Sequence, residues 1–466
     1  MTQRLKQRGS LVDIGDRVAR HVRRYLRFAI QWLPFGLCVK RWLLLLAVGV
    51  AVLSLGFSFL LRELYPLPRI FYYLTLQFIP RIVRAGLFAL IGIGAVVAGV
   101  VGLNRSLLSP FVDANPETLA QTIKRYRQRE RGPRVVAIGG GHGLSTLLRG
   151  LKEHTLNITA IVTVADDGGS SGRLRSELGV LPPGDFRNCI AALADDEALT
   201  THLFQYRFGA GSGLNGHSFG NLFITAMAGV TGSFERAILE SSRVLAVRGQ
   251  VLPSTLQNVT LTADLVQRNP SEPSGEKREQ AEARLNRVTG ESRIPAAEGT
   301  IQRVYLDPSD APAYPGAVHA LLNADMIVVG PGSLYTSVLP NLLVPAVADA
   351  LAATAACKVY VCNVATQRGE TEGYTVGDHV TALARHVGSA LCPVVLANAN
   401  LLSDRSSEGP MENQPGVEMV KPEVPPERDY RLVTADLVDP EQPWRHDSQR
   451  LARALMHQLE QHIAQR

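Results

Sequence analysis

The chain has few cysteines and no arrangement of them that suggests a metal or disulfide site. Its five cysteines are scattered over 466 residues, without a CxxC pair or a histidine at zinc-ligand spacing. Such usage is typical of reduced, buried thiols in a cytosolic domain. The sequence also lacks a basic run interleaved with aromatic residues, the usual signature of single-strand binders, so we expect no nucleic-acid partner.

A cleaved signal peptide is not indicated either, because the first apolar run begins only after about 40 residues. Two runs, Leu43–Leu61 and Ala85–Leu103, are each nineteen residues long and carry no charge. Each is long enough for a helix to cross a hydrocarbon core. We therefore predict a transmembrane helical hairpin over residues 43–103, with a buried helical hairpin of a soluble domain as the alternative.

The positive charge is concentrated on either side of this hairpin. The net charge is +6, and Lys and Arg crowd a basic tail (residues 1–42) and a basic linker (residues 104–133). The positive-inside rule then places both on the cytoplasmic side. We expect a multi-pass protein of the inner or plasma membrane, with its N-terminus and its C-terminal domain in the cytoplasm.

Residues 134–466 alternate short β-branched runs with helical patterns, which predicts an α/β domain with a Rossmann-like, doubly wound and mostly parallel sheet. Residues 403–428 are rich in Pro, Glu, Ser and Asn and suggest a flexible surface segment. A helix over residues 446–463 ends the domain. The predicted strands are Val135–Ile138, Ile158–Val164, Met326–Val329, Lys358–Val364 and Pro393–Ala397.

Polar, Gly-rich loops follow these strands. The first, Gly139–Gly143, precedes a helical pattern that begins at Leu144, so its backbone N–H groups and the helix dipole can hold a phosphate. It is not a GxGxxG fingerprint, and a tight βα turn is the alternative. After the second strand, Asp166 and Asp167 can accept ribose hydroxyls or hold a divalent cation such as Mg²⁺, or simply cap the next helix.

Four more loops carry candidate ligand contacts. In the turn before a helix, Asp185 is a plausible N-cap and Asn188 can face the ligand. His217 and Asn221 lie four residues apart around a glycine, where His217 can donate to a phosphate or act as an acid or base. The loops after two later strands offer amides, hydroxyls, one aromatic ring and one guanidinium, from Gly330, Gly332, Ser333, Tyr335, Thr336, Asn363 and Arg368. Together these loops outline one pocket.

The combination Ala-Asp-Asp-Gly-Gly-Ser-Ser-Gly-Arg, Gly-Pro-Gly-Ser-Leu-Tyr-Thr-Ser and Asn-Val-Ala-Thr-Gln-Arg-Gly-Glu-Thr resembles the YvcK, or gluconeogenesis factor, family. The resemblance runs from Arg134 to about Leu402, with a similar Arg-His-Asp at residues 445–447. The wider superfamily includes CofD, the 2-phospho-L-lactate transferase, whose Asn-Thr-Gly-Asp-Asp and Gly-Pro-Ser-Asn-Pro stretches this chain lacks. His142 stands where the family usually has Thr.

The resemblance implies a CofD-like core that binds a UDP-sugar, typically UDP-N-acetylglucosamine. It also implies a regulator that links carbon metabolism to cell-wall synthesis and cell shape. By motif, Tyr335 is expected near the base or sugar and Arg368 on the pyrophosphate, while Thr371 is a candidate phosphoacceptor. The ligand contacts carried over are Gly139, Gly140, Gly141, His142, Gly143, Leu144, Asp166, Asp167, Asn188, His217, Asn221, Gly330, Gly332, Ser333, Tyr335, Thr336, Asn363 and Arg368.

Three functions remain open at this level, and a membrane-tethered sensor without turnover is favoured because no nucleophile–base pair is evident. The second is a CofD-like transferase that uses a nucleotide-linked donor, with Mg²⁺ held by Asp166 and Asp167. The third is a scaffold that recruits envelope-synthesis proteins. No catalytic residue and no obligatory cofactor is assigned, and we expect a homo-oligomer.

Overall fold

A computed structural model describes residues 50, 54, 72–73, 76, 78–108, 127–194, 197–209, 213–266, 285–388, 391–401 and 418–465. The chain divides into two units, Met1–Arg127 and Gln128–Arg466. The first unit contains helix α1, Arg81–Leu108, which includes the second predicted apolar span. Within residues 81–94 of this helix the apolar side chains are exposed, Ile82 at 88% and Leu90 at 74%. The first predicted span lies outside the described residues except for Val50 and Ser54.

Among the described residues, no single helix has both the length and the apolar composition needed to cross a membrane. Two bent pairs of helices, Phe219–Thr231 with Phe234–Val244 and Leu334–Leu342 with Pro345–Ala353, meet those criteria together.

The second unit is built on a seven-stranded sheet, and this confirms the predicted α/β fold with a mostly parallel sheet. All its strands are parallel, in the order β10-β9-β8-β7-β1-β2-β3. The strands are β1 (Val135–Gly139), β2 (Ile158–Val162), β3 (Gln250–Pro253), β7 (Met326–Val329), β8 (Cys357–Val361), β9 (Val394–Asn398) and β10 (Arg431–Ala435).

The central strands β1 and β7 are buried along their whole length, as parallel strands covered on both faces should be. From β1 the chain moves outward to β2 and β3, and from β7 it moves outward in the opposite direction to β8, β9 and β10. Because such crossovers are right-handed, the helices of the two halves cover opposite faces. The strand order therefore reverses between β1 and β7.

The helix predicted to begin at Leu144 begins at Gly141, and the helix predicted over residues 446–463 spans Ser448–Ala464. The α-helices that the structure describes in this unit follow in chain order. They are α2 (Gly141–Leu151), α3 (Gly169–Leu178), α4 (Gly184–Leu193), α5 (Glu197–Gln205), α6 (Phe219–Thr231), α7 (Phe234–Val244), α8 (Pro315–Leu322), α9 (Leu339–Leu342), α10 (Pro345–Ala353), α11 (Val376–Val387) and α12 (Ser448–Ala464). Helix α2 packs against both α4 and α12. The C-terminal helix therefore supports the first βα turn.

A smaller sheet was not predicted. Strands β4 (Thr260–Val266), β5 (Leu285–Thr289) and β6 (Thr300–Asp307) are antiparallel in the order β5-β4-β6. Strand β4 alternates buried and partly exposed residues. Strand β5 is mostly exposed, which explains its polar sequence.

The stretch from Glu418 to Arg428 is ordered by pairing with the domain, whereas residues 402–417 lie outside the described residues. Val420 N donates to Val364 O at 2.9 Å, and Val376 N donates to Lys421 O at 3.0 Å. Backbone pairing of this kind is independent of side-chain composition, so the polar sequence alone could not reveal it.

Candidate functional site

The polar loops meet at the carboxyl ends of β1 and β7. This is the point where the strand order reverses, and a crevice opens there in doubly wound sheets because the adjacent connections run to opposite faces. The loop after β1 contains the glycines, and the loop after β7 begins with Gly330. Gly330 N donates to Ile138 O at 2.8 Å, which keeps the two loops side by side.

The glycine loop takes a path that only glycine allows at two positions. Gly141 has φ +64°, a left-handed value that disfavours other residues. A Cβ on Gly143 would lie 2.7 Å from Pro331 O and 3.0 Å from Gly332 N. Helix α2 starts here, and its N-cap residue, Gly140, has no side chain that could cap it. The N–H groups of its first turn lack intrahelical partners, so they can bind an anion.

Side-chain hydrogen bonds connect the loop after β7 to the loop after β8. Asn363 accepts from Gly332 N at 3.1 Å and donates to Gly332 O at 2.9 Å. Ser333 Oγ donates to Gln367 Oε1 at 2.6 Å. The two loops therefore act as one wall.

Glu370 is the buried acceptor at the centre of this wall. Its carboxylate accepts from Thr336 Oγ1 at 2.9 Å, Gln367 Nε2 at 2.8 Å and Tyr335 N at 3.2 Å. Burial raises the pKa of Glu370 to about 7, against the lowering effect of the hydrogen bonds from Thr336 and Tyr335. These bonds fix the turn that carries Arg368.

The loops enclose a cavity of about 600 Å³, within the range of small-molecule sites. Its lining includes several acidic groups. Asp185 and Glu291 face it with Asp166, and burial followed by the neighbouring carboxylates raises the pKa of Asp185 to about 6 and of Glu291 to about 8. Burial also raises the pKa of Asp166. The carboxyl group of Glu291 is therefore largely protonated at pH 7, which makes it able to both donate and accept hydrogen bonds.

The lining also includes basic groups. Arg368 and Arg445 are the cationic side chains among the lining residues of the described chain. His142 faces the same space, and burial, followed by the charge of Arg445 and then of Arg187, lowers its pKa. Burial lowers the pKa of His446 to about 4. Both imidazoles are thus neutral at pH 7, and the arginines supply the positive charge that a phosphate requires.

Ten of the predicted contact residues line the cavity: Gly140, Gly141, His142, Gly143, Asp166, Gly332, Ser333, Thr336, Asn363 and Arg368. They come from the ends of β1, β2, β7 and β8, as expected when parallel strands end at one edge. The remaining predicted contact residues do not line the cavity; they are Gly139, Leu144, Asp167, Asn188, His217, Asn221, Gly330 and Tyr335.

His217 and Asn221 form a separate buried network with Ser170. Ser170 Oγ lies 3.0 Å from His217 Nδ1 and accepts from Asn221 Nδ2 at 3.0 Å. Next to it, Arg187 donates to Ser218 Oγ at 2.6 Å and to Asn188 Oδ1 at 2.9 Å. These bonds connect the starts of α3, α4 and α6.

Asp166 and Asp167 point to different places. Asp167 Oδ1 accepts from Ser292 N at 2.8 Å, in the turn that carries Glu291, and Asp167 does not line the cavity. Only Asp166 of the pair therefore lines the cavity. Among the described residues, no group of three or more His, Cys, Asp or Glu is placed to hold a metal ion.

The aromatic residue of the β7 loop faces the protein interior. Tyr335 is 1% exposed, and its hydroxyl lies 2.9 Å from that of Tyr374. Leu144 lies in the hydrophobic core, while Gly139 O accepts from Asn341 Nδ2 at 3.0 Å. Asp185 is not the N-cap of α4, because Pro183 takes that position. Its carboxyl group faces the cavity and accepts a hydrogen bond from Gly141 N.

Several lining residues were missed. Most of them lie in or next to the polar loops recognised in the sequence. Glu291 comes instead from the turn after β5, and Trp444 comes from the segment before α12. The missed residues are Thr146, Thr163, Asp185, Glu291, Pro331, Ser337, Val364, Ala365, Thr366, Gln367, Trp444, Arg445 and His446. For Trp444, Arg445 and His446, the one indication in the sequence was the resemblance of the Arg-His-Asp stretch at residues 445–447.

Known proteins match this domain closely. The family model described as 2-phospho-L-lactate transferase CofD matches residues 135–461. A relative from Nostoc described with the gluconeogenesis factor name is 46% identical over 91% of this chain and 91% of its own. The gluconeogenesis factor of Bacillus subtilis is 48% identical over 58% of this chain and 80% of its own. The chain belongs to the gluconeogenesis factor (YvcK) family and has a CofD-like domain.

The fold of the family agrees with the one described above. A crystal structure of a Bacillus halodurans protein has a TM-score of 0.62 and 43% identity, and the match covers 70% of this chain and 99% of that one. In the chain described here, Thr371 is fully buried and its hydroxyl accepts a hydrogen bond from Gln367 N at 2.9 Å. A kinase could reach this hydroxyl only after the loop had moved.

Proposed function

We propose that this gluconeogenesis factor binds a UDP-sugar, with UDP-N-acetylglucosamine as the first candidate, and acts as a regulator that links carbon metabolism to cell-wall synthesis and cell shape. The observation that carries the binding proposal is the convergence of four βα loops on one cavity with the first turn of α2 and two arginines. A diphosphate needs such groups, and the cavity has the volume of a small-molecule site.

The basic and the acidic groups that line the cavity favour a ligand with two chemical parts. Arg368, Arg445 and the first turn of α2 suit phosphate oxygens. Asp166, Asp185 and Glu291 suit hydroxyl groups, because a carboxyl group can accept from a hydroxyl, or donate to it when protonated. A nucleotide sugar carries both parts, whereas inorganic phosphate lacks the second.

Calorimetric titration of the full chain with UDP-N-acetylglucosamine, UDP and GDP tests this proposal. We expect the uridine nucleotides to bind without Mg²⁺. Arg368→Ala should weaken their binding roughly ten- to hundredfold, because it removes charge-assisted hydrogen bonds. Arg385→Ala is the matched control, since Arg385 is exposed on α11 and does not line the cavity. Absence of binding by any nucleotide would refute the proposal.

A second candidate is an enzyme that transfers a phosphate-linked group from a nucleotide donor. The match to the CofD model over residues 135–461 favours it. Incubation with a nucleotide-linked 2-phospholactate donor and a deazaflavin alcohol, with and without Mg²⁺, tests it. Product formation would replace the sensor by a transferase, and equal binding without product would favour the sensor.

We further propose that the uncharged runs at residues 43–61 and 85–103 attach the protein to the inner or plasma membrane, with the domain in the cytoplasm. The uncharged sequence and the exposed apolar side chains of α1 support attachment. Flotation of the full chain with lipid vesicles should carry the protein upward, and a variant without residues 43–103 should stay at the bottom. Envelope-synthesis proteins and further copies of the chain are the proposed partners.

A further inference from the structure

One aromatic residue lines the cavity and has no role in the binding scheme given above. Among the lining residues of the described chain, Trp444 is the only Trp, Tyr or Phe. It is half-buried and packs against the hydrophobic core. Indole rings have a flat, apolar face of the kind on which nucleobases stack.

Hydrogen bonds hold the segment that carries this ring. Arg445 N donates to Gln442 O at 2.8 Å, and Asp439 N donates to Arg445 O at 3.0 Å. Two residues later, Asp447 is the N-cap of α12, the helix that packs on α2. The position of Trp444 is therefore tied to the helix that follows the glycine loop.

Trp444 and its chain neighbour Arg445 both line the cavity. Arg445 follows Trp444 directly, and its charge acts on His142 in the glycine loop. A base stacked on Trp444 would thus have its phosphates near Arg445 and the first turn of α2. The carboxyl groups of Asp166 and Glu291 would then remain for the hydroxyl-rich part of the ligand.

We propose that the nucleobase of the bound nucleotide stacks on the indole ring of Trp444. This assignment rests on the proposed nucleotide-sugar binding and gives the ligand a direction: base at the C-terminal segment, diphosphate at the glycine loop, and sugar toward Asp166 and Glu291. Trp444 is a binding residue in this scheme, with no role in chemistry.

The chain offers a direct optical readout, because it contains only three tryptophans, Trp32, Trp42 and Trp444. In a full-length variant with Trp32→Phe and Trp42→Phe, all indole emission comes from Trp444. Stacking of uracil on the ring should quench this emission as UDP is added. The titration should follow the saturation curve that calorimetry gives for the same sample.

Substitution of the ring tests its contribution to affinity. Trp444→Ala should weaken UDP and UDP-N-acetylglucosamine by the same factor, about five- to hundredfold. Trp444→Phe should restore most of the affinity, because a smaller aromatic face remains. Tyr206→Ala is the control, since Tyr206 is 55% exposed and does not line the cavity. Circular dichroism and the thermal midpoint check that each variant folds.

The outcomes separate this assignment from the proposed function. If the wild type binds UDP by calorimetry while folded Trp444→Ala binds it equally well, stacking is refuted and nucleotide binding stands. A loss confined to UDP-N-acetylglucosamine would assign the ring to the sugar and overturn the proposed direction. If the wild type binds no nucleotide at all, both the function and the stacking are refuted.

Discussion

Glu370→Ala should destabilise the domain because several groups depend on this one carboxylate. The substitution leaves two buried donors, Thr336 Oγ1 and Tyr335 N, without the acceptor they have at 2.9 and 3.2 Å. Leaving a buried donor unpaired costs roughly 1–3 kcal/mol, and the side chain of Gln367 can turn to water. Removing the cost of burying the carboxyl group offsets part of this loss, so we expect about 3 kcal/mol in the free energy of unfolding.

Urea unfolding of the full chain, followed by circular dichroism, measures this loss. Glu418→Ala is the matched control, because Glu418 has an exposed side chain and should change the unfolding free energy by less than about 0.5 kcal/mol. Glu370→Ala should also bind UDP more weakly, since the turn that carries Arg368 loses its anchor. Equal stability of Glu370→Ala and Glu418→Ala would refute the role given to this network.

Three further predictions concern the cavity walls. Gly143→Ala should abolish or strongly weaken nucleotide binding in calorimetry, because its Cβ would lie 2.7 Å from Pro331 O; unchanged affinity would show that the loops can separate freely. Asp167→Ala should release the turn fixed through Ser292 N, so limited proteolysis should cut there faster than in the wild type, and an unchanged rate would contradict this. Burial raises the pKa of Glu291 to about 8, so its stabilising contribution is complete below its unfolded pKa and is lost as pH rises through 8. Urea midpoints should therefore fall as pH rises from about 4.5 to 8, level off above 8, and fall less in Glu291→Gln, whereas parallel curves would refute the shift.

The local sequence was enough for the strands that form the centre of the sheet. Met326–Val329 coincides with β7, and the other predicted strands overlap observed ones, because a buried parallel strand is a short continuous apolar run. The glycines after β1 and β7 were also readable, since a turn with positive φ and no room for a side chain leaves few alternatives to glycine. The family resemblance came from the same loops.

Pairing between distant segments was not readable in the same way. The antiparallel sheet β5-β4-β6 consists of strands with exposed faces, and its polar residues resemble those of a loop. The backbone pairing of residues 418–424 leaves no compositional signal, because main-chain hydrogen bonds do not depend on side chains.

The sequence by itself determined which loops would contain the site, because strand, glycine turn and helix follow one another within a few residues. Only the tertiary structure decided which side chains enter the cavity. Asp167 and Tyr335 turn away to hold other segments, while Glu291 comes from the turn after β5 and Trp444 from the segment before α12. Side-chain direction at the end of a strand depends on the packing of neighbouring elements, which local sequence does not encode.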